Sequence, residues 1–177
     1  MAATLVLLAD FTVSGTVTDG SHALSDAVVW IENGTKPKPS KATVDQKNKR
    51  FSPHISVVPV GSKISFPNHD DVFHNVFAEF RAKKFDLGMY PRGQSKSVTF
   101  DKSGVVSVLC SVHSEMSAYI IVVDTPYFGK TDSKGRFKFA VGKGEGVLHV
   151  WHESGKSLER KIDVEGSQTL ELVATKH

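Results

Sequence analysis

Nine consecutive residues combine a thiol, an imidazole and a thioether: Val108-Leu109-Cys110-Ser111-Val112-His113-Ser114-Glu115-Met116. Cys110 is the only cysteine of the 177-residue chain, and His113 and Met116 follow it at intervals of three residues. A further histidine, His74, precedes the cysteine by 36 residues. The apolar, β-branched residues before Cys110 are typical of a buried strand, which ends where the potential donors begin.

Two imidazoles, a thiolate and a thioether are the donor set of mononuclear copper sites that transfer electrons. In such sites two histidines and a cysteine form a trigonal set, and a methionine is a weak, distant axial ligand. The order of the donors predicts that His74 leaves an interior strand, whereas Cys110, His113 and Met116 belong to one loop at the same end of the fold. We therefore expect these four side chains to bind one copper ion and to leave no coordination position for a substrate.

Other interpretations of the same residues stay open at this point. A lone cysteine is commonly a small buried hydrophobic residue, and a methionine near it is commonly part of the core. A cysteine with a histidine elsewhere in the chain also occurs in thiol nucleophiles. Zinc is disfavoured, because a thioether is a poor zinc ligand and structural zinc sites normally have more than one thiolate.

The pattern of apolar and polar residues predicts an all-β fold. Strand-type alternation recurs along the chain, β-branched and aromatic residues are frequent, and Gly, Pro, Asn and Asp separate the segments. Many short strands with frequent turns favour a sandwich or a barrel. A short helical turn is expected only near residues 78–84. The main predicted strands lie at residues 11–17, 27–31, 54–58, 63–66, 97–100, 104–109 and 118–123.

Two segments resemble the cupredoxins, the family of blue copper proteins that includes plastocyanin, azurin and amicyanin. Lys63-Ile64-Ser65-Phe66-Pro67-Asn68, followed by Phe73-His74-Asn75-Val76-Phe77, is similar to the family's strand and its His-Asn-Val segment. The stretch 104–116 is similar to its cysteine strand and ligand loop. The resemblance covers about residues 45–124. It implies a Greek-key β-sandwich and a type 1 copper site whose ligands are His74, Cys110, His113 and Met116.

The resemblance also implies roles for residues beside the ligands. Asn75 is expected to tie the ligand loop together, with Ser111 as its hydrogen-bonding partner, because such contacts orient metal ligands. The His113 imidazole is expected to present an edge near the surface among apolar groups such as Val112. Glu115 is a candidate tuning residue, because a carboxylate enters the coordination sphere in red copper relatives.

A second pattern flanks the copper motif on both sides. The hairpin at residues 13–30, the turn at 131–137 and the strand at 147–151 resemble the carboxypeptidase regulatory-like, transthyretin-like β-sandwich. We expect residues 10–35 plus 125–175 to form this domain, with the cupredoxin inserted at 36–124. The alternative is one continuous cupredoxin with a carboxyl-terminal extension. Trp30 and Trp151 are expected in the core of the split domain.

Composition and the amino-terminal residues narrow the classes of function. The net charge is only +3, and no stacking aromatic residues or recognition helix accompany it, so nucleic-acid binding has little support. The apolar residues 1–9 are too few to span a bilayer. As the remnant of a signal peptide they predict a periplasmic or otherwise exported protein with at most peripheral membrane contact.

These expectations favour a carrier over an enzyme. The sequence contains no nucleophile–base grouping, phosphate loop or paired acid/base carboxylates. We expect single-electron transfer between larger redox proteins, such as a c-type cytochrome or an oxidoreductase. A copper-binding or copper-delivery protein without redox activity is the main alternative, and a structural β module whose metal motif has lapsed is another.

Overall fold

The computed structural model describes residues 10–80 and 82–176, and within these ranges it contains strands and no helix. The all-β prediction is therefore confirmed. The strands, in chain order, are β1 Phe11–Thr18, β2 Val28–Glu32, β3 Lys41–Thr43, β4 Asp45–Lys47, β5 Arg50–Ser52, β6 Ile55–Pro59, β7 Ser62–Pro67, β8 His74–Phe80, β9 Lys83–Tyr90, β10 Ser95–Phe100, β11 Gly104–Leu109, β12 Ser117–Val123, β13 Phe128–Lys130, β14 Arg136–Val141, β15 Gly144–Trp151, β16 Lys156–Val164, β17 Gln168–Val173 and β18 Thr175–Lys176.

The described chain divides into two compact units. One takes the residues up to Thr35 and from Tyr127 onward, and the other is Lys36–Pro126. The prediction of a signal-peptide remnant concerns residues 1–9, which lie outside the described residues. Among residues 10–80 and 82–176, no helix has the length and apolar character needed to cross a membrane.

The unit Lys36–Pro126, hereafter the central unit, is a β-sandwich. One sheet has the strand order β10-β7-β3, the other has the order β6-β12-β11-β8-β9, and β4 and β5 form a separate hairpin. Ile64 and Phe100 from the first sheet belong to the same buried cluster as Val106 and Ile120 from the second. Because successive side chains of a strand point to opposite faces, alternation in sequence produces this shared core.

The short helical turn predicted near residues 78–84 is wrong. Strand β8 continues to Phe80, strand β9 begins at Lys83, and the two pair antiparallel with Ala78 opposite Phe85. Ala78 is buried in the core of the central unit. Burial against this core outweighs the weak local preference for a helix in such a short segment.

The other unit, hereafter the flanking unit, is also a β-sandwich. Its sheets have the orders β14-β1-β17 and β13-β2-β15-β16-β18. Val13 and Leu172 from the first sheet share a buried cluster with Ile31 and Leu148 from the second. Each unit therefore has its own hydrophobic core, as an independently folding domain requires.

The prediction that Trp30 and Trp151 belong to this core is wrong. Both side chains are only partly buried, and neither is part of the flanking unit's core cluster. Val29 and Ile31, the neighbours of Trp30 on β2, do belong to that cluster. The alternation of a strand therefore directs Trp30 to the opposite face of the sheet.

A tight turn before β14 is fixed to β1. Gly135 has a φ of +71°, and its carbonyl accepts a hydrogen bond of 2.8 Å from the amide of Val17. A Cβ atom at this position would lie 2.5 Å from the Val17 carbonyl oxygen. Both the left-handed backbone and the close approach therefore require glycine here.

Candidate metal centre

The ligand loop joins two neighbouring strands of the five-stranded sheet of the central unit. Cys110 follows the last residue of β11, and Met116 precedes the first residue of β12. The Cys110 amide donates to the Met116 carbonyl at 3.3 Å, and the Met116 amide donates to the His113 carbonyl at 3.0 Å. These two backbone hydrogen bonds close the loop, which fits the intervals of three residues between Cys110, His113 and Met116.

His74 reaches the same end of the sandwich from strand β8. It is the first residue of that strand and pairs with Tyr90 of β9. Strand β8 also pairs with β11, where Leu109 lies opposite Phe77. The His74 side chain is fully buried, so its ring is held by packing as well as by the strand.

The two histidines and the cysteine converge on one point. The Nδ1 atoms of His74 and His113 are 3.1 Å apart, and the Cys110 Sγ atom is 4.0 Å from each of them. A triangle with these sides has its circumcentre about 2.2 Å from each corner. Bonds of a first-row metal ion to imidazole nitrogen and thiolate sulfur are about 2.0–2.3 Å long. The three donors are therefore spaced as for one metal ion.

In the part of the chain that the structure describes, this is the single group of three or more His, Cys, Asp or Glu side chains whose ligand atoms lie close enough together to hold a metal ion. Cys110 and His74 are buried, and His113 is partly exposed. Cys110 is a free thiol. Besides its apolar neighbours in the core, Cys110 faces two imidazole nitrogens, and a buried thiol with two such neighbours has the donors that a metal site needs.

The other two predicted residues of the ligand loop differ in burial. Met116 is 1% exposed and belongs to the same buried cluster as Cys110, which is consistent with a donor on the inner side of the loop. Glu115 is exposed and lies outside the group formed by the histidines and the cysteine. Its side chain lines a surface cavity together with Arg50 and His54.

Asn75 connects strand β8 to the ligand loop. Its Oδ1 atom accepts hydrogen bonds from the Ser111 amide at 2.7 Å and from the Ser111 hydroxyl at 2.9 Å. Asn75 is 5% exposed, so these bonds are shielded from water. The contact joins the residue after His74 to the residue after Cys110, and so fixes the two ligand-bearing segments relative to each other.

A carboxylate outside the predicted ligand set also touches the site. Asp70 Oδ2 lies 2.7 Å from the Nε2 atom of His74. Burial disfavours ionisation of Asp70, but hydrogen bonds from the Lys49 amide, His74 and the Asn48 amide outweigh it and lower the pKa of Asp70 below its ordinary value. Asp70 is thus a carboxylate that directly contacts a predicted ligand.

The neighbours of Asp70 in sequence have other partners. The His69 ring bonds to Asp45 at 2.6 Å, and Asp71 forms an ion pair with Arg92. The three consecutive polar residues therefore have three different partners, and only Asp70 contacts a predicted ligand. The sequence signal that could have identified Asp70 is its position four residues before His74, which is weak because loop carboxylates are common.

Apolar side chains are exposed on the loops and strand ends next to the ligands. Phe73 is 55% exposed and precedes His74, Val112 is 51% exposed and precedes His113, and Met89 is 45% exposed opposite Asn75. With Val72 they are four of the five large hydrophobic residues that are exposed in the described chain. We call Val72, Phe73, Met89 and Val112 the apolar rim.

Comparisons with known proteins give structural likenesses over about half of the chain. No protein-family model matches the sequence, and no curated protein matches it. A copper-containing nitrite reductase from Thermus scotoductus SA-01 is 24% identical, with a TM-score of 0.45 over 54% of this chain and 25% of the reductase chain. The match thus spans a quarter of that larger protein.

Two smaller proteins match over nearly their whole length. A purple cupredoxin from Nitrosopumilus maritimus is 22% identical, with a TM-score of 0.42 over 46% of this chain and 99% of the cupredoxin. The reduced Cu(I) form of an amicyanin mutant at pH 4 is 19% identical, with a TM-score of 0.44 over 54% of this chain and 98% of amicyanin.

Proposed function

We propose that this protein binds one copper ion at a type 1 site and carries single electrons between redox proteins. In this proposal His74, Cys110 and His113 would hold the ion, with Met116 as a weaker fourth donor. The observation that carries it is the convergence of two imidazole nitrogens and one thiol sulfur within 4.8 Å of one another. Asn75 and Ser111 support the ligands from outside the coordination sphere.

The chemistry of the donors favours copper. Thiolate sulfur is a soft ligand that suits Cu(I), and imidazole suits both oxidation states of copper. A bound copper ion would supply a one-electron couple at this position. The protein contributes a fixed geometry, because hydrogen bonds and packing hold the ligand segments, and little rearrangement is then needed when the oxidation state changes.

Burial of the donors favours a carrier over an enzyme. His74, Cys110 and Met116 are each at most 5% exposed, and only the His113 ring approaches the surface. Three of the four proposed donors are therefore shielded from a substrate in solution. An electron, in contrast, can leave through an imidazole edge without any ligand being displaced.

The apolar rim supports brief contact with a partner protein. Exposed apolar groups clustered at one place mark interaction sites, and transient redox encounters use small interfaces. Redox partners such as a c-type cytochrome or an oxidoreductase are part of the proposal. A periplasmic or otherwise exported location is also part of it, in line with the resemblance to exported copper proteins, and fractionation of cells that make the native protein tests it.

The test measures the potential of the copper-loaded protein and its rate of electron exchange with a c-type cytochrome. We expect a reversible one-electron wave and rapid exchange. Val112→Asn should slow the exchange and leave the potential nearly unchanged, because the change adds no charge and lies outside the coordination sphere. Val173→Asn is the matched control, since Val173 is similarly exposed but belongs to the flanking unit, and it should change neither quantity.

The same experiment separates electron transfer from copper delivery. Loss of copper to an acceptor apoprotein, together with slow electron exchange, would contradict the carrier function and favour delivery. Retention of copper during many redox cycles is expected for a carrier, because all four ligands belong to one folded unit.

We also propose that the central unit is a cupredoxin domain inserted into a regulatory-like, transthyretin-like domain. Support comes from the division at Thr35/Lys36 and Pro126/Tyr127 and from the separate buried core of each unit. Insertion between two strands is tolerated when the ends of the inserted domain lie at exposed positions. Limited proteolysis at these junctions, followed by mass analysis of the resistant fragments, tests the boundaries.

A further inference from the structure

We propose that Asp70 is a positioning residue of the metal centre, which fixes the orientation and tautomer of His74 and contributes negative charge behind this ligand. The inference rests on the proposed copper site for its effect on the metal. The contact from which it starts is the distance of 2.7 Å between Asp70 Oδ2 and His74 Nε2.

The geometry assigns different roles to the two nitrogens of His74. An ionised carboxylate only accepts hydrogen bonds, so Nε2 must carry the proton that it donates to Asp70. In a neutral ring the Nδ1 atom then has a free lone pair. That atom faces the site, 4.0 Å from Cys110 Sγ and 3.1 Å from His113 Nδ1. Asp70 thus selects the one tautomer that can bind a metal ion at this position.

Asp70 is itself held in place by backbone groups. Its carboxylate accepts hydrogen bonds from the amides of Asn48 and Lys49, the latter at 2.8 Å, and its own amide donates to Asn68 Oδ1 at 2.9 Å. Its side chain is 12% exposed. These contacts leave the carboxylate little freedom to turn away from His74.

The donors of these bonds come from the turn between β4 and β5. Asn48 and Lys49 both have a φ of +54°, which is the backbone of a two-residue hairpin turn of type I′. In this turn the two amides point to the same carboxylate. The hairpin, Asp70 and His74 therefore form one continuous chain of hydrogen bonds that ends at the proposed ligand.

If Asp70 served only to connect its own loop to the β4–β5 hairpin, its contact with His74 would not be needed. The two backbone amides alone would satisfy that structural role, yet the same Oδ2 atom that accepts from Lys49 also meets the His74 ring. Partners outside the coordination sphere typically change metal affinity by about 10–100-fold when they are removed. A fixed negative charge near the site also favours Cu(II) over Cu(I), and so lowers the potential.

The test compares Asp70→Asn with Asp71→Asn, a matched control whose exposed carboxylate pairs with Arg92 and touches no ligand. In the metal-free proteins, nitrogen NMR of the imidazoles at a pH of about 8.5, where a free imidazole is neutral, reports the tautomer of His74. In the copper-loaded proteins, voltammetry reports the potential, and competition with a chelator reports the affinity for Cu(II).

We expect the wild type and Asp71→Asn to have the proton only on Nε2 of His74, and Asp70→Asn to show both tautomers. Asp70→Asn should also raise the potential and weaken Cu(II) binding by about 10–100-fold. A wild-type ring protonated on Nδ1 would overturn the proposal even if the variant does not fold. Equal effects of the two substitutions, or none from Asp70→Asn, would also overturn it. If the wild type binds no copper, the proposed function fails, while the metal-free spectra still decide the role of Asp70.

Discussion

Each unit of this protein contains a poorly exposed histidine that faces a carboxylate, but the two histidines differ in what surrounds their second nitrogen. In the central unit, His74 Nε2 meets Asp70, and Nδ1 faces Cys110 and His113. In the flanking unit, His149 Nδ1 lies 3.4 Å from Glu159, and its buried Nε2 has no hydrogen-bond partner among the described residues.

The difference shows which surroundings suit a histidine for binding a metal ion. The His149 ring stacks on Trp30, with ring centroids 4.8 Å apart and planes inclined by 12°. One face of the imidazole is therefore covered by the Trp30 ring. Among the described residues, His149 belongs to no group of donors that could hold a metal ion. A carboxylate and low exposure are therefore not sufficient, and convergence of soft donors is the feature that distinguishes His74.

The largest expected effect comes from removing the thiol. Cys110→Ala should abolish the visible thiolate-to-copper absorption completely, because no other described side chain supplies a thiolate. His149→Ala should leave that absorption unchanged, because His149 belongs to the flanking unit and lies outside the group formed by His74, Cys110 and His113. Absorption spectra at equal copper loading check both variants. Colour that survives in Cys110→Ala would show that the thiol is not a ligand.

Copper should stabilise one unit and not the other. A ligand present at 100 times its dissociation constant stabilises the state that binds it by about 2.7 kcal/mol. With two separate cores, we expect calorimetry to show two transitions, of which copper raises only that of the central unit. Leu148→Ala, in the core of the flanking unit, should lower the free energy of unfolding of that unit by about 2–5 kcal/mol. It should leave the copper affinity unchanged. A copper-dependent shift of both transitions would contradict the separation of the two units.

A smaller effect is expected for the axial position. Met116→Gln should retain copper and lower the potential, because an amide oxygen is a harder ligand that favours Cu(II). The loss of affinity should be small, since the axial bond is weak. Voltammetry of the variant beside the wild type measures the change. An unchanged potential would argue that Met116 lies in the core without binding the metal.

The smallest effect concerns a turn of the flanking unit. Hydrogen bonds from the Arg136 side chain and backbone amide lower the pKa of Asp132 from 3.8 to about 2. Because the folded-state pKa is depressed, the stabilisation is present above pH 4 and is lost as the pH falls towards 2. Asp132→Asn should therefore make the thermal transition of this unit less sensitive to acid over that window. Salt should reduce the difference, because the pair is exposed. Equal acid sensitivity of the two proteins would contradict the assignment.

The sequence predicts those parts of the site and fold that depend on local spacing. Cys110, His113 and Met116 lie on one short loop, so their proximity follows from the closure of that loop. Alternating apolar residues likewise predict the strands, because a buried face requires them. The meeting of His74 with this loop does not follow from local spacing, since 36 residues separate His74 from Cys110, and it is predicted by the donor set and by the resemblance.

The contacts that were not predicted depend on loop conformation or on packing. Asp70 reaches His74 because the turn amides of a distant hairpin hold its carboxylate, and no local pattern specifies that pairing. Ala78 is in a strand because a core covers it, although its short segment also suits a helix. Trp30 is outside the core because its register on β2 is set by Val29 and Ile31, and its size alone is a poor guide.

The most direct test of the account is a titration of the metal-free protein with Cu(II), followed by visible absorption and by X-ray absorption at the copper edge. We predict an intense thiolate-to-copper band that saturates at one equivalent, with two nitrogen ligands and one short sulfur bond at the metal. A colourless complex, or a copper ion bound only by nitrogen and oxygen, would contradict the convergence of His74, Cys110 and His113 on a single ion.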